Sequence, residues 1–216
     1  NIFAETTLKD LLNSYREKHQ QASIVLRGGF GAELLDLLWN EEIEIIFTHE
    51  KDRIPAHMEE KLVFLTMYTY GEILVTKKGD PLVKKIKKLN ATELAKELST
   101  RKLILPAKIT RTYKDICEKL QPHAKGRLDI AVEVMHPLAR LDYVAHGWGV
   151  TFIDECCAGI VSAGLHSFKL PDSFVKPKRV GLYYIKDKYH TSKAATAFIE
   201  LCKDHRGQKQ NSLKNM

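Results

Sequence analysis

The sequence predicts an α/β fold in two lobes, and three observations predict it. Strand and helix patterns alternate over the first 50 residues, a second alternation begins near residue 76, and a strong strand followed by an amphipathic helix closes the chain. Asn1 to Ala4 reads as the end of a strand. Thr6 or Thr7 caps a helix whose apolar residues recur at Leu8, Leu11, Leu12 and Tyr15. Ser23 to Leu26 reads as a strand broken by Gly28-Gly29-Phe30-Gly31. A second helix, Ala32 to Trp39, buries Leu34, Leu35, Leu37 and Leu38, and Ile43 to Phe47 is a strand that stops at Thr48-His49-Glu50. Three strands and two helices in so short a span predict a parallel sheet with right-handed crossovers.

Further on, Lys61 to Tyr70 and Glu72 to Thr76 are strands, and Lys77-Lys78-Gly79-Asp80-Pro81 is a turn. Asn90 or Thr92 caps a short helix to Glu97. Leu103 to Pro106 is a short buried strand, and Thr110 or Arg111 opens another helix. Ile130 to Val134 is a strand, and Pro137 suits the first turn of the helix after it, where its missing N–H is not needed. That helix runs to His146-Gly147, Gly149 to Ile153 is a strand, and a cysteine-containing helix follows. Val180, Leu182 and Tyr184 alternate along the last strand. Thr191 or Ser192 caps the last helix, striped by Ala194, Ala197, Phe198 and Leu201, and a frayed tail is expected from Gly207.

Composition narrows the function classes. With 44% hydrophobic and 28% charged residues, the chain has the make-up of a globular protein. The net charge of +7 comes largely from local runs such as Lys84-Lys85-Ile86-Lys87-Lys88 and from the tail, which reads as solvated surface. Zinc-finger, RNA-binding and basic-zipper signatures are absent. The cysteines Cys117, Cys156, Cys157 and Cys202 lack metal spacing and are too few and scattered for a disulfide framework, so reduced thiols and a cytoplasmic location are expected. The adjacent pair Cys156-Cys157 reads as a redox sensor or as inert buried thiols. No apolar run reaches the roughly 18 residues of a membrane span. Asn1 in place of a methionine points to a piece of a longer chain.

Catalytic and cofactor motifs are likewise missing. The nine histidines show no His-x-x-x-His pair, so no metal is expected. Gly28-Gly29-Phe30-Gly31 is followed by no Lys-Ser/Thr and does not form Gly-x-Gly-x-x-Gly, so it is not a phosphate loop. No nucleophile–base pair or carboxylate dyad is legible, and neither enzymatic activity nor a cofactor is expected.

The order of motifs resembles the effector-binding domain of LysR-type transcriptional regulators. The best stretch is Ala139-Arg140-Leu141-Asp142-Tyr143-Val144-Ala145-His146-Gly147-Trp148-Gly149-Val150-Thr151-Phe152-Ile153. It is followed by Gly181-Leu182-Tyr183-Tyr184-Ile185-Lys186-Asp187 and Ser192-Lys193-Ala194-Ala195. Ala32 to Leu38 before Ile43-Glu44-Ile45, and Gly79-Asp80-Pro81-Leu82, are similar to two further family stretches. The resemblance implies the type 2 periplasmic-binding-protein fold, with two Rossmann-like lobes joined by a two-strand hinge. Lobe I would be residues 1–75 and 172–216, and lobe II residues 76–171. It also implies a small effector in the interlobe cleft, with anions among the candidates, a homodimer or tetramer, and DNA contact only through a winged helix-turn-helix preceding Asn1.

Carried over position by position, the effector site falls on Glu5, Thr6 and Thr7, on Thr48 and His49, on Ala107, Lys108 and Thr110, on Met135 and His136, and near Phe152. Thr6 and Thr7 also read as plain helix caps, in a loop shorter than the family's. Lys108 reads as a partner for a carboxylate or as a solvated side chain, His49 and His136 as donors or as polar strand and helix ends, and Met135 and Phe152 as pocket or core. A solute-binding protein of a transport system shares the fold and is the alternative reading.

Overall fold

The computed structural model describes residues 8–29, 31–51, 54–186 and 192–214, with side chains to residue 206. The chain forms two compact units, Asn1–Thr69 with Lys178–Met216, and Tyr70–Pro177. The chain therefore leaves the first unit once and returns to it once.

The first unit is built on a three-stranded sheet of β1 (Ile46–His49), β8 (Lys178–Ile185) and β2 (Leu62–Tyr70), with β8 in the middle. β1 runs antiparallel to β8, with Ile46 opposite Tyr183 and Phe47 opposite Leu182. Side chains alternate across a strand, so Leu182 and Tyr183 enter different cores. Leu182 packs with Leu8, Leu11 and Tyr15 of the α1 segment (α1, Lys9–Lys18), with Leu65 and Met67, and with Phe198 and Cys202 of α8 (Lys193–Lys214). Tyr183 packs with Leu34, Leu35 and Leu38 of α2 (Gly31–Trp39), with Ile46, and with Met58 of α3 (Ala56–Glu59). The Tyr15 hydroxyl donates to the Ala194 carbonyl at 2.9 Å, and the Tyr15 ring meets Phe198 edge to face, with centroids 5.4 Å apart. Burial pushes the Cys202 thiol up to about 12.

Three expectations for this unit are corrected. Ser23–Leu26 is not a strand: residues 22–29 have no regular structure, and Ile24, Val25 and Leu26 are exposed. A strand needs a neighbour to complete its ladder, and among the described residues none lies beside this segment. The parallel pairing predicted for the first 50 residues is therefore absent from the described part of the unit, whose β1 pairs antiparallel with β8. The reading of Asn1 to Ala4 lies outside the described residues. The tail is also not frayed from Gly207, since α8 continues to Lys214.

The second unit carries a five-stranded sheet in the order β5-β4-β6-β3-β7: Ile130–Glu133, Leu103–Leu105, Val150–Asp154, Glu72–Lys77 and Leu165–Lys169. β4 is parallel to both β5 and β6, while β3 is antiparallel to β6 and β7. One face carries Leu74, Leu103, Leu105, Val150 and Phe152. It packs on Leu82 of α4 (Leu82–Lys85), Leu94, Ala95 and Leu98 of α5 (Ala91–Leu98), and Ile116 and Leu120 of α6 (Arg111–Leu120). The other face receives α7 (Pro137–Ala145), which buries Leu141 and Val144 and contacts β3, β4 and β6. β7 was not foreseen. The cysteine-containing helix after β6 is a 3₁₀ turn, Glu155–Ile160. Asn90 caps α5 as read, accepting from the Thr92 and Glu93 N–H groups at 3.0 Å while the Glu93 carboxylate accepts from the Asn90 N–H at 2.9 Å.

β8 and β2 approach closely at Gly181, where a Cβ would stand 2.0 Å from the Leu65 carbonyl oxygen. Gly181→Ala is accordingly expected to cost about 1–3 kcal/mol of stability through forced backbone displacement. Urea unfolding checks this: the midpoint should fall at constant m-value, and an unchanged midpoint would show that the strands can part freely.

Candidate functional site

Parallel pairing of β4 with β5 and β6 puts the carboxyl ends of all three at one edge of the second unit's sheet. Helices start directly after two of these ends. β4 leads through Pro106 and Ala107 to α6, and β5 leads through Met135 and His136 to α7. The start of β3 joins the same edge, because Glu72 is opposite Asp154.

The loop after β4 is closed by its own side chains. The Thr110 N–H and hydroxyl both donate to the Ala107 carbonyl, at 2.9 and 2.8 Å, and the Thr110 Oγ1 accepts from the Tyr113 N–H at 3.2 Å. Thr110 is thus the amino-terminal cap of α6. Lys108 is exposed and lies 3.3 Å from Glu133 at the end of β5. A surface pair of this kind is worth at most about 1 kcal/mol, so the ammonium exchanges partners at little cost. At the neighbouring helix, His136 occupies the cap position but makes no capping hydrogen bond, and Pro137 stands in the first turn. Met135 and His136 are exposed. Helix amino termini carry N–H groups without intrahelical partners and favour negative charge nearby.

Beneath these loops is a buried charged group that sequence reasoning missed. Arg140, only 5% exposed, donates from Nη1 to the Met135 carbonyl at 3.1 Å and the Val134 carbonyl at 3.4 Å. Its Nε is buried without a hydrogen bond. Burial lowers the guanidinium pKa, while the negative charges of Asp154 and Glu72 oppose that shift. Glu72 is itself buried, and its Oε1 accepts from the Thr112 hydroxyl at 2.8 Å. The signal was present: Arg140 sits on the same helical stripe as Leu141 and Val144, and an arginine on a buried stripe needs partners. After β6, the Cys156 and Cys157 sulfurs lie 3.9 Å apart.

The structure thus gathers Ala107, Lys108, Thr110, Met135 and His136 at one edge. Phe152 lies within the core below, fully buried. Thr48 and His49 belong to the first unit, half-buried on β1 opposite Gly181 and Val180. β1 there leads to a cavity of about 440 Å³ lined by Glu50, Lys51, Ile54, Glu59, Phe64 and Tyr183, among others. Arg179 pairs with Glu50 beside it. Glu5, Thr6 and Thr7 lie outside the described residues. Among the described residues no group of three or more His, Cys, Asp or Glu side chains is arranged to hold a metal ion, and no helix is long and apolar enough to cross a membrane.

Comparison with known proteins gives this geometry a context. A family model described as LysR substrate binding domain matches residues 1–207. The cofactor-binding domain of the Cbl transcriptional regulator superposes with a TM-score of 0.76 at 19% identity, covering 94% of this chain and 84% of that one. The BenM effector-binding domain with its effector benzoate superposes with a TM-score of 0.75 at 17% identity, covering 97% and 90%. Full-length CbnR complexed with its target DNA gives 0.70 at 16%, covering 94% of this chain and 66% of that one, so the chain spans about two thirds of that regulator. At these identities the likeness shows the fold alone. A search of curated protein sequences finds no match.

Removing the charge of Arg140 tests the buried group. Arg140→Met keeps the side chain's length and should cost about 3 kcal/mol, because it removes a buried guanidinium together with its hydrogen bonds to the Met135 and Val134 carbonyls. Adding Glu72→Gln should recover part of that loss. Urea midpoints of the two single variants and the double variant decide it, and strictly additive losses would show that the two side chains do not act together.

Proposed function

The chain belongs to the LysR substrate binding domain family, and we propose that it is the ligand-sensing regulatory domain of a transcriptional regulator whose effector is a small anion. The observation that carries the anion is the edge formed by β4, β5 and β6, where two helix amino termini and the weakly held Lys108 ammonium converge. Lys108 is the group that would pair with the effector's charge. Thr110 and His136 sit at the starts of the two helices and would orient the effector's polar atoms, and Ala107 and Met135 would supply the adjoining loop surface. BenM, of similar fold, is described with benzoate as its effector, which makes small carboxylates the first class to test.

An effector acts by binding one conformation of the domain better than another, and coupling of this kind is typically about 1–3 kcal/mol. DNA contact is assigned to a part of the regulator other than these 216 residues. The four cysteines are free thiols, in keeping with a reducing cytoplasm. The exposed apolar run Ile24-Val25-Leu26 favours association of two copies through the first unit.

Thermal-shift and calorimetric titration with benzoate, other small carboxylates, and sulfate tests the reading. A true effector should stabilise the domain by about 2.7 kcal/mol at a hundred times its dissociation constant. Lys108→Ala should weaken binding about tenfold, equivalent to about 1.4 kcal/mol. A panel with no shift would overturn the anionic class, and an effector indifferent to Lys108→Ala would move the site away from this edge. Sedimentation should show a dimer that Val25→Glu disrupts; a strict monomer at high concentration would count against association through this run.

A further inference from the structure

The opposite edge of the second unit's sheet holds a separate cavity of about 430 Å³. Three segments form it: 77–80 at the end of β3, 101–102 before β4, and 147–150 at the start of β6. Its volume is in the range of small-molecule sites.

The segments are held together by backbone and by a fixed ion-pair frame. The Val150 N–H donates to the Lys102 carbonyl at 3.0 Å. That carbonyl lies so close to Gly149 that a Cβ there would stand 2.3 Å from its oxygen, and Gly149 has φ 154°. Arg101 grips both oxygens of Asp80, at 2.9 and 2.8 Å, and holds Glu97 at 3.0 Å. Lys85 also binds Glu97, at 2.7 Å. Arg101 and the one lining carboxylate, Asp80, therefore satisfy each other. Lys77, Lys78 and Lys102 are exposed and, among the described residues, have no carboxylate partner.

An aromatic ring completes the lining. Trp148 is 49% exposed, with its ring 4.9 Å from Tyr143 and its backbone N–H bound to the Tyr143 carbonyl at 3.1 Å. A tryptophan kept half in water, lining the same cavity as three lysines, offers a π-face in a cavity suited to negative charge.

We propose that this cavity binds a mononucleotide, with the base against Trp148 and the phosphate among Lys77, Lys78 and Lys102. Three uncompensated ammonium groups match a phosphate dianion better than a monocarboxylate, and an indole matches a planar base better than a sugar. Because the cavity and the edge assigned to the effector are at opposite ends of the same strands, this proposal stands apart from that reading.

The test is titration of the intact chain with AMP, followed by tryptophan emission and by calorimetry. The chain has two tryptophans, and the other, Trp39, belongs to the first unit. Saturable binding with a dissociation constant below about 1 mM is expected, weakening as salt is raised. Adenosine should bind at least about tenfold more weakly, a loss of about 1.4 kcal/mol, and inorganic phosphate should compete. Lys77→Glu with Lys78→Glu, and separately Trp148→Ala, should each abolish binding while the circular dichroism spectrum is retained. No saturable binding of AMP overturns the proposal, as does adenosine binding as tightly as AMP. Benzoate competing as well as AMP would also overturn it, by showing a general aromatic-anion surface. Should one variant unfold, the other and the adenosine comparison still decide.

Discussion

The direction of β4 is the constraint on which the second unit depends. Because β4 runs parallel to both neighbours, three strand ends and two helix starts must share one edge, and each crossover helix must lie against the sheet. The loops after β4 and β5 inherit their positions from this pairing, and the Val134 N–H, bound to the Leu105 carbonyl at 2.9 Å, extends the ladder to the last residue before the second loop. Arg140 then ties that loop to the sheet from below. Two carbonyls that no strand partner takes are bound by a guanidinium, and the negative charges of Glu72 on β3 and Asp154 on β6 oppose the effect of its burial. The Lys108, Met135 and His136 side chains of these loops are exposed, while the frame that positions them is buried and costly to alter.

The two ends of the same strands differ in kind. At the carboxyl end, free backbone N–H groups at helix starts provide a weak, directional preference for negative charge. At the amino end, Lys77, Lys78 and Lys102 provide side-chain charge around an ion pair that is already closed. One sheet thus carries helix starts at one end of its strands and exposed lysines at the other.

Much of this was legible in the sequence. The Asn90 and Thr110 caps, Pro137 at the start of α7, and the alternation of Val180, Leu182 and Tyr184 are local signals with local causes, and the structure has them where the pattern puts them. The failures were of another kind. Ser-Ile-Val-Leu at 23–26 has the composition of a strand, but composition cannot supply the neighbour that a ladder requires. β7 alternates weakly, with His166 and Ser167 among its residues, and is held by pairing to β3 rather than by its own propensity. Arg140 and Glu72 look like surface residues until the helix stripe and the buried strand around them are considered together. The gathering of Ala107, Lys108, Thr110, Met135 and His136 depends on strand direction, which no residue type records.

The second unit is contiguous in sequence, whereas the first is closed by segments from both sides of it. The Tyr15 hydroxyl and the Ala194 carbonyl are 179 residues apart. During synthesis the second unit has all of its strands before β8 has left the ribosome, while β1 and β2 wait for the strand that belongs in the middle of their sheet. The wait exposes Leu65, Met67 and Ile46, which β8 and α8 later cover. An emerging chain therefore matures from its inside outward, and the apolar faces left open longest belong to the unit whose strands are divided by the other.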